Sequence, residues 1–182
     1  MRVLLDEQLP RHPARDLGGH RVRTVQQEGW TGLKNGELMQ EFKVNVFFYG
    51  SYMNLDVLRE VELVPDRVEV ARLGGFDIQI RPLANLVHSD QHSVYGILAV
   101  ATHRELDRLY AHARDVLGAV YLPRPVVAQV LDDKFVPALC YIAPTMESRA
   151  ASDEYVDRIL KPAKEHGFPA WYIQRLESFR AG

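Results

Sequence analysis

The stretch VFFYGSYMNLDVL, residues 46–58, passes from an apolar run into Gly50-Ser51, then through Tyr52 and Met53 into a helical pattern. A glycine lets the backbone approach a ligand because no Cβ stands in the way. The amides of Ser51, Tyr52 and Met53 lie just before a helix expected to start near Asn54, where unpaired N–H groups favour negative charge. A carboxylate or the oxyanion of a tetrahedral intermediate suits such a place. Spacing alone is met equally well by Ser51 or Asn54 acting as a helix cap. Other residues with chemical potential are less concentrated. Arg81 in IRPLANLV reads as a carboxylate clamp or a surface charge, and Asn85 as a turn former or a pocket amide. His88 and His92 are four apart, but HSDQH reads as a turn without a third ligand, so no metal is expected.

The elements that must position the glycine loop follow from periodicity. VNVFFYG, DRVEVARLGGFDIQIRPL, HSVYGILAV, AVYLPRPVVAQVL and FVPALCYIA read as strands, with a bend at Gly74-Gly75. THRELDRLYAHARDVLG reads as a helix with Thr102 as N-cap and Glu105 at capping-box spacing. SDEYVDRILKPAKEHG is a capped helix ending at Gly167, and PAWYIQRLESF a last short one. Segregated helices beside several strands predict an α+β domain with a strongly curved or barrel-like sheet. Upstream, RVLL and HRVRTV read as two strands separated by a poor, proline-interrupted helix, a short βαβ-type start. The texture changes near Val44, which divides the chain into 1–43 and 44–182.

The chain has 182 residues, of which 47% are apolar, 25% charged and 9% aromatic, an ordinary globular composition. A net charge of −2 gives no general affinity for nucleic acid or anionic membrane. The single cysteine, Cys140, rules out an internal disulfide and a cysteine-based zinc site. No apolar run approaches the ~18 residues of a membrane span, and MRVLLDEQLP carries acids where a signal peptide is apolar. The expected location is the cytoplasm, with no membrane partner.

FFYGSYMN resembles the signature loop of the gamma-glutamylcyclotransferase-like (AIG2-like) family. The order of LGGFDIQI, SVYGILAVATHRELDRLY, VYLPRPVVAQV, CYIA and YVDRILKPAKEHGFPAWYIQRL is similar too, over about residues 44–180. The resemblance implies a small mixed barrel-like sheet with flanking helices and a cavity over the loop, with Tyr49, Gly50, Ser51, Tyr52 and Met53 binding a small γ-glutamyl-type substrate and no cofactor. It implies an intramolecular reaction, in which an α-amine attacks its own γ-carbonyl and releases 5-oxoproline. The family assigns proton transfer to a glutamate closing L-D-x-x-E; here the motif reads Leu106-Asp107-Arg108-Leu109-Tyr110. A phenol with pKa near 10 is a poor base at neutral pH. Three alternatives remain: Tyr110 as phenolate or substrate-orienting group, Asp115 reaching the cavity from one turn on, or a domain that binds without turnover. His112 is a further proton shuttle or a surface imidazole, and Asp107 a partner for the Tyr110 hydroxyl. Tyr121 matches an aromatic that the family places near its pocket, though core packing explains it as well.

The first 40 residues resemble the opening of a PIN-like family of toxin-type nucleases. Asp6 takes the place of the first Mg²⁺ ligand, with Glu7 and Glu37 nearby. The later acidic strand of that family is missing, so the sequence reads as a truncated fragment fused to the main domain. Metal-dependent nuclease activity is the alternative from another functional class.

Overall fold

In a computed structural model, residues 2–5, 21–24, 42–130 and 133–180 are described. The chain divides into two compact units, Met1–Phe42 and Lys43–Gly182. In the first unit, β1 (Arg2–Leu5) pairs in parallel with β2 (Arg21–Thr24), from Arg2↔Arg21 to Leu5↔Thr24. Both strands fall within RVLL and HRVRTV, the stretches that read as strands in the sequence. Asp6, Glu7 and Glu37, and the helix expected between the strands, lie outside the described residues.

The second unit is a closed five-stranded barrel. Its strands are β3 (Lys43–Phe48), β4 (Val68–Ile80), β5 (Ala84–Thr102), β6 (Leu122–Val130) and β7 (Phe135–Ile142), ordered β3-β5-β4-β6-β7. Four pairings are antiparallel; β3 closes the ring by pairing in parallel with β7 at Val46↔Leu139 and Phe47↔Cys140. Between the strands sit a one-turn 3-10 helix (Ser51–Met53), α1 (Leu55–Glu60) and α2 (His103–Leu117), and after the last strand come α3 (Asp153–Glu165) and α4 (Ala170–Glu177). The architecture is therefore the α+β class that the strand and helix patterns predict, with the mixed barrel and flanking helices that the family resemblance implies.

Local chemistry sets the helix ends. The Thr102 hydroxyl accepts from the Glu105 amide at 3.2 Å, while Glu105 Oε2 accepts from the Thr102 amide at 2.7 Å. This reciprocal box starts α2, and Gly118, at φ 67°, ends it in a left-handed conformation that costs glycine little. Leu106, Leu109 and Ala113 form the buried stripe of α2 at helical spacing.

One segment differs from its expected form. HSDQH, read as a turn, lies within the 19-residue strand β5. Gly74 pairs with Ser93 and Phe76 with His88, so residues 89–92 face Gly75 alone in a wide bulge. Ser89 Oγ and His92 Nδ1, 2.6 Å apart, close it. Polar, exposed residues on a strand with solvent on both sides carry no alternation to read.

β3 and β5 approach more closely than side chains allow at one point. A Cβ on Gly96 would lie 2.3 Å from the Phe48 carbonyl oxygen and 2.7 Å from the Phe47 ring. The first obstacle is backbone, which cannot swing aside. Gly96→Ala is expected to lower stability by at least about 2–3 kcal/mol in urea denaturation; an unchanged midpoint would show that β3 moves freely.

Candidate functional site

β3 ends at Phe48, and the chain leaves the barrel through Tyr49 and Gly50 into the 3-10 turn. Gly50 has φ −112°, which any residue adopts, so its conformation does not require glycine. Proximity does: a Cβ there would lie 3.0 Å from the Ala84 Cβ and 3.9 Å from the Tyr155 hydroxyl. The turn is closed by Met53 N–H to the Gly50 carbonyl and Asn54 N–H to the Ser51 carbonyl, both 3.0 Å. The amides of Ser51 and Tyr52 precede the first donor of that one-turn helix and are not used by its own bonds. Asn54 caps α1, its side chain accepting from the Asp56 amide at 2.9 Å.

Over this loop lies a cavity of about 30 Å³ lined by Phe48, Leu83, Ala84, Leu117, Gly50, Ser51 and tyrosines 49, 52, 110, 121, 141 and 155. Six of the chain's eight tyrosines thus converge on one small space. Tyr110 stacks on Tyr141, centroids 3.6 Å apart and planes 9° from parallel, and meets the Tyr52 ring at right angles. Three phenols are committed to backbone. Tyr49 donates to the Tyr141 carbonyl at 2.8 Å and Tyr121 to the Ala84 carbonyl at 2.8 Å, while Tyr155 accepts from the Ala84 amide at 3.0 Å. Ala84, the first residue of β5, is therefore gripped at both its backbone groups. The Tyr52 hydroxyl is buried and has no hydrogen-bond partner. A buried, unpaired polar atom on a cavity wall points to a guest that satisfies it.

The electrostatics follow from burial, since a phenolate loses its hydration there. Desolvation pushes Tyr49 and Tyr110 well above the ordinary phenol value, and Tyr52 and Tyr141 up to about 12. Tyr121 and Tyr155 are also raised by burial; for Tyr155 the Ala84 amide, the Ser51 hydroxyl and Arg158 oppose the rise. Cys140 behind the cavity is pushed up by the same loss of water. All six phenols are therefore neutral at physiological pH, and no carboxylate, imidazole or amine belongs to the cavity's lining among the described residues.

The expected site residues divide. Tyr49, Gly50, Ser51, Tyr52 and Tyr110 line the cavity. Met53 does not: it is fully buried in the core, its carbonyl 3.2 Å from His166 Nε2. Asp115 lies elsewhere, on the exposed face of α2, where the Arg114 guanidinium holds its carboxyl below the usual range through a 2.8 Å bond. An α-helix turns 100° per residue, so five positions beyond Tyr110 falls off the inward stripe. No hydrogen bond joins Asp107 to Tyr110, and His112 is exposed beside a separate 70 Å³ space. Tyr121 combines both its readings, as a wall of the cavity and a brace for Ala84. Arg81 is exposed at the rim of an outer cleft, and Asn85 is buried, bonding both backbone groups of Ala143 at 2.9 Å. Among the described residues no group of three or more His, Cys, Asp or Glu is arranged to hold a metal, and no helix is long and apolar enough to cross a membrane. Tyr141, Tyr155 and Leu117 were not singled out by sequence. Tyr141 carried a signal in its apolar strand, whereas Tyr155 and Leu117 sit at helix ends where local pattern is silent.

No family model matches the sequence, and no curated protein matches it. Solved structures match its fold. A gamma-glutamyl cyclotransferase superposes with a TM-score of 0.62 at 23% identity, over 75% of this chain and 88% of that one. An uncharacterized protein from Homo sapiens gives 0.64 at 22% over 76% and 88%. A yeast gamma-glutamyl cyclotransferase specific to glutathione gives 0.52 at 11% over 75% and 95%. The chain thus has a gamma-glutamyl cyclotransferase-like fold; at these identities the likeness is one of architecture.

The phenols set an alkaline limit. Their folded pKa lies above the unfolded value near 10, so their burial stabilises the protein below about pH 10 and that contribution is lost as pH rises through about 12. The urea midpoint is expected to be insensitive to these groups up to about pH 9 and to fall above about pH 10, while the near-ultraviolet absorbance of phenolate rises. Ionisation of all eight tyrosines near pH 10 without unfolding would contradict the buried cluster.

Proposed function

We propose that the barrel unit binds a small amino-acid derivative of the γ-glutamyl type in the tyrosine-lined cavity and does not turn it over. The observation that carries this reading is the lining itself: phenols and loop amides, with no base. Cyclisation to 5-oxoproline takes its proximity from the substrate, but a proton must still leave the ammonium before nitrogen can attack. A phenol held neutral by burial does not accept it at neutral pH. Tyr110 stands where the family resemblance places the glutamate, and Asp115 is paired with Arg114 away from the cavity. What remains suits recognition. The Ser51 and Tyr52 amides and the unpaired Tyr52 hydroxyl can donate to a carboxylate, and the ring faces can cover the aliphatic part of the ligand.

The test combines calorimetric titration with a 5-oxoproline assay on γ-glutamyl amino acids and amines. Binding is expected without release above the protein-free rate. Gly50→Val should abolish binding, because its side chain enters the space occupied by the Ala84 Cβ. Tyr110→Glu, which returns a carboxylate to the α2 wall, should raise release above that of wild type while Tyr110→Phe stays at background. Release by wild type that is lost in Tyr110→Phe would overturn the reading.

A further inference from the structure

Leu117 is the last residue of α2 and 43% exposed, a large aliphatic side chain left out of the core. It nevertheless lines four separate spaces. On one side is the tyrosine cavity of about 30 Å³, and on another a cleft of about 290 Å³ that includes Arg81 and Arg149. A third space of about 450 Å³ runs along Ser152, Tyr155 and Arg158, and the fourth, of about 70 Å³, adjoins His112. Leu83 is shared by the first three. Leu83 and Leu117, with Tyr121 on the side of the cleft and Tyr155 on the side of the third space, therefore stand between a small aromatic chamber and spaces roughly ten times its size.

Size decides what this arrangement admits. A cavity of about 30 Å³ has room for about two water molecules. An amino-acid head with any substituent is larger, so the rest of the ligand lies outside, and Leu117 is the residue common to all the spaces it could enter.

We propose that Leu117 sets the length of ligand that the tyrosine cavity accepts. The ligand's head lies among the phenols, and its tail passes over Leu117 and Leu83 into the cleft beside Arg81 and Arg149. This rests on the binding reading above and adds the ligand class: a headed molecule with an extended tail, sorted by tail length. Shortening the side chain joins the chamber to the cleft, and enlarging it seals the chamber.

The experiment titrates the full chain with the ethyl, butyl and hexyl amides of γ-glutamate by calorimetry, using wild type, Leu117→Ala, Leu117→Met and Leu117→Trp. Leu117→Ala is expected to gain roughly tenfold in affinity for the hexyl amide relative to the ethyl amide, as the freed space takes up tail methylenes. Leu117→Trp should lose the longer ligands first, and Leu117→Met, of similar volume, should behave as wild type. The half-exposed position makes Leu117→Ala compatible with folding, which circular dichroism checks, and that arm alone decides if Leu117→Trp does not fold. An unchanged order of affinities in Leu117→Ala would overturn the gate while leaving the cavity as the binding site. No binding of any amide by any variant would overturn the binding reading, and the gate with it.

Discussion

The barrel depends on β3 being held from both sides. It pairs antiparallel with β5 through six successive residues and in parallel with β7 at Val46 and Phe47. Without the second pairing the sheet would expose an edge, and the apolar faces of Phe47, Ile97 and Cys140 would meet water. The close approach at Gly96 is the local cost of this closure. β3 ends opposite Ile97, in the second half of β5, and the Gly50 loop that follows it packs against Ala84 at the start of that strand, with tyrosines from α2, β7 and α3 completing the enclosure.

Within that enclosure the choice of phenol over carboxylate has an energetic logic. An unpaired carboxylate under the Tyr141 ring would lose its hydration and cost several kcal/mol, or stay protonated. A tyrosine in its place stacks, covers apolar area and contributes about 0.5–1.5 kcal/mol from the ring pair. Functional sites commonly give up stability for reactivity. In this cavity the buried rings contribute to stability. Its one remaining tension is the buried Tyr52 hydroxyl without a partner.

The outer surface is organised around the same place. Arg81, Arg149 and Arg158 lie on the spaces beyond the leucines, and the local pairs Arg149–Glu147 and Arg158–Glu154 are exposed ones of the kind that contribute little stability. Their side chains are available to a solute at little cost. The buried Asn85, by bonding both backbone groups of Ala143, fixes the wall of this cleft more firmly than any ion pair on its rim.

The parts governed by short-range rules were legible in the order of residues. Alternation located the strands, Thr102 and Glu105 announced the start of α2, and the Gly50-Ser51 step marked the loop that faces the cavity. The length of β5 was hidden, because its polar bulge carries no alternation. The tertiary structure alone decided which side chains share the cavity. Met53, adjacent to Tyr52, turns into the core; Asp115, on the same helix as Tyr110, turns to solvent; Tyr141, Tyr155 and Leu117, far apart in the chain, meet above Gly50. Local pattern follows from bonds and rotamers within a few residues. The composition of an enclosed space follows from barrel closure, which couples residues nearly a hundred positions apart through contacts that no local periodicity encodes.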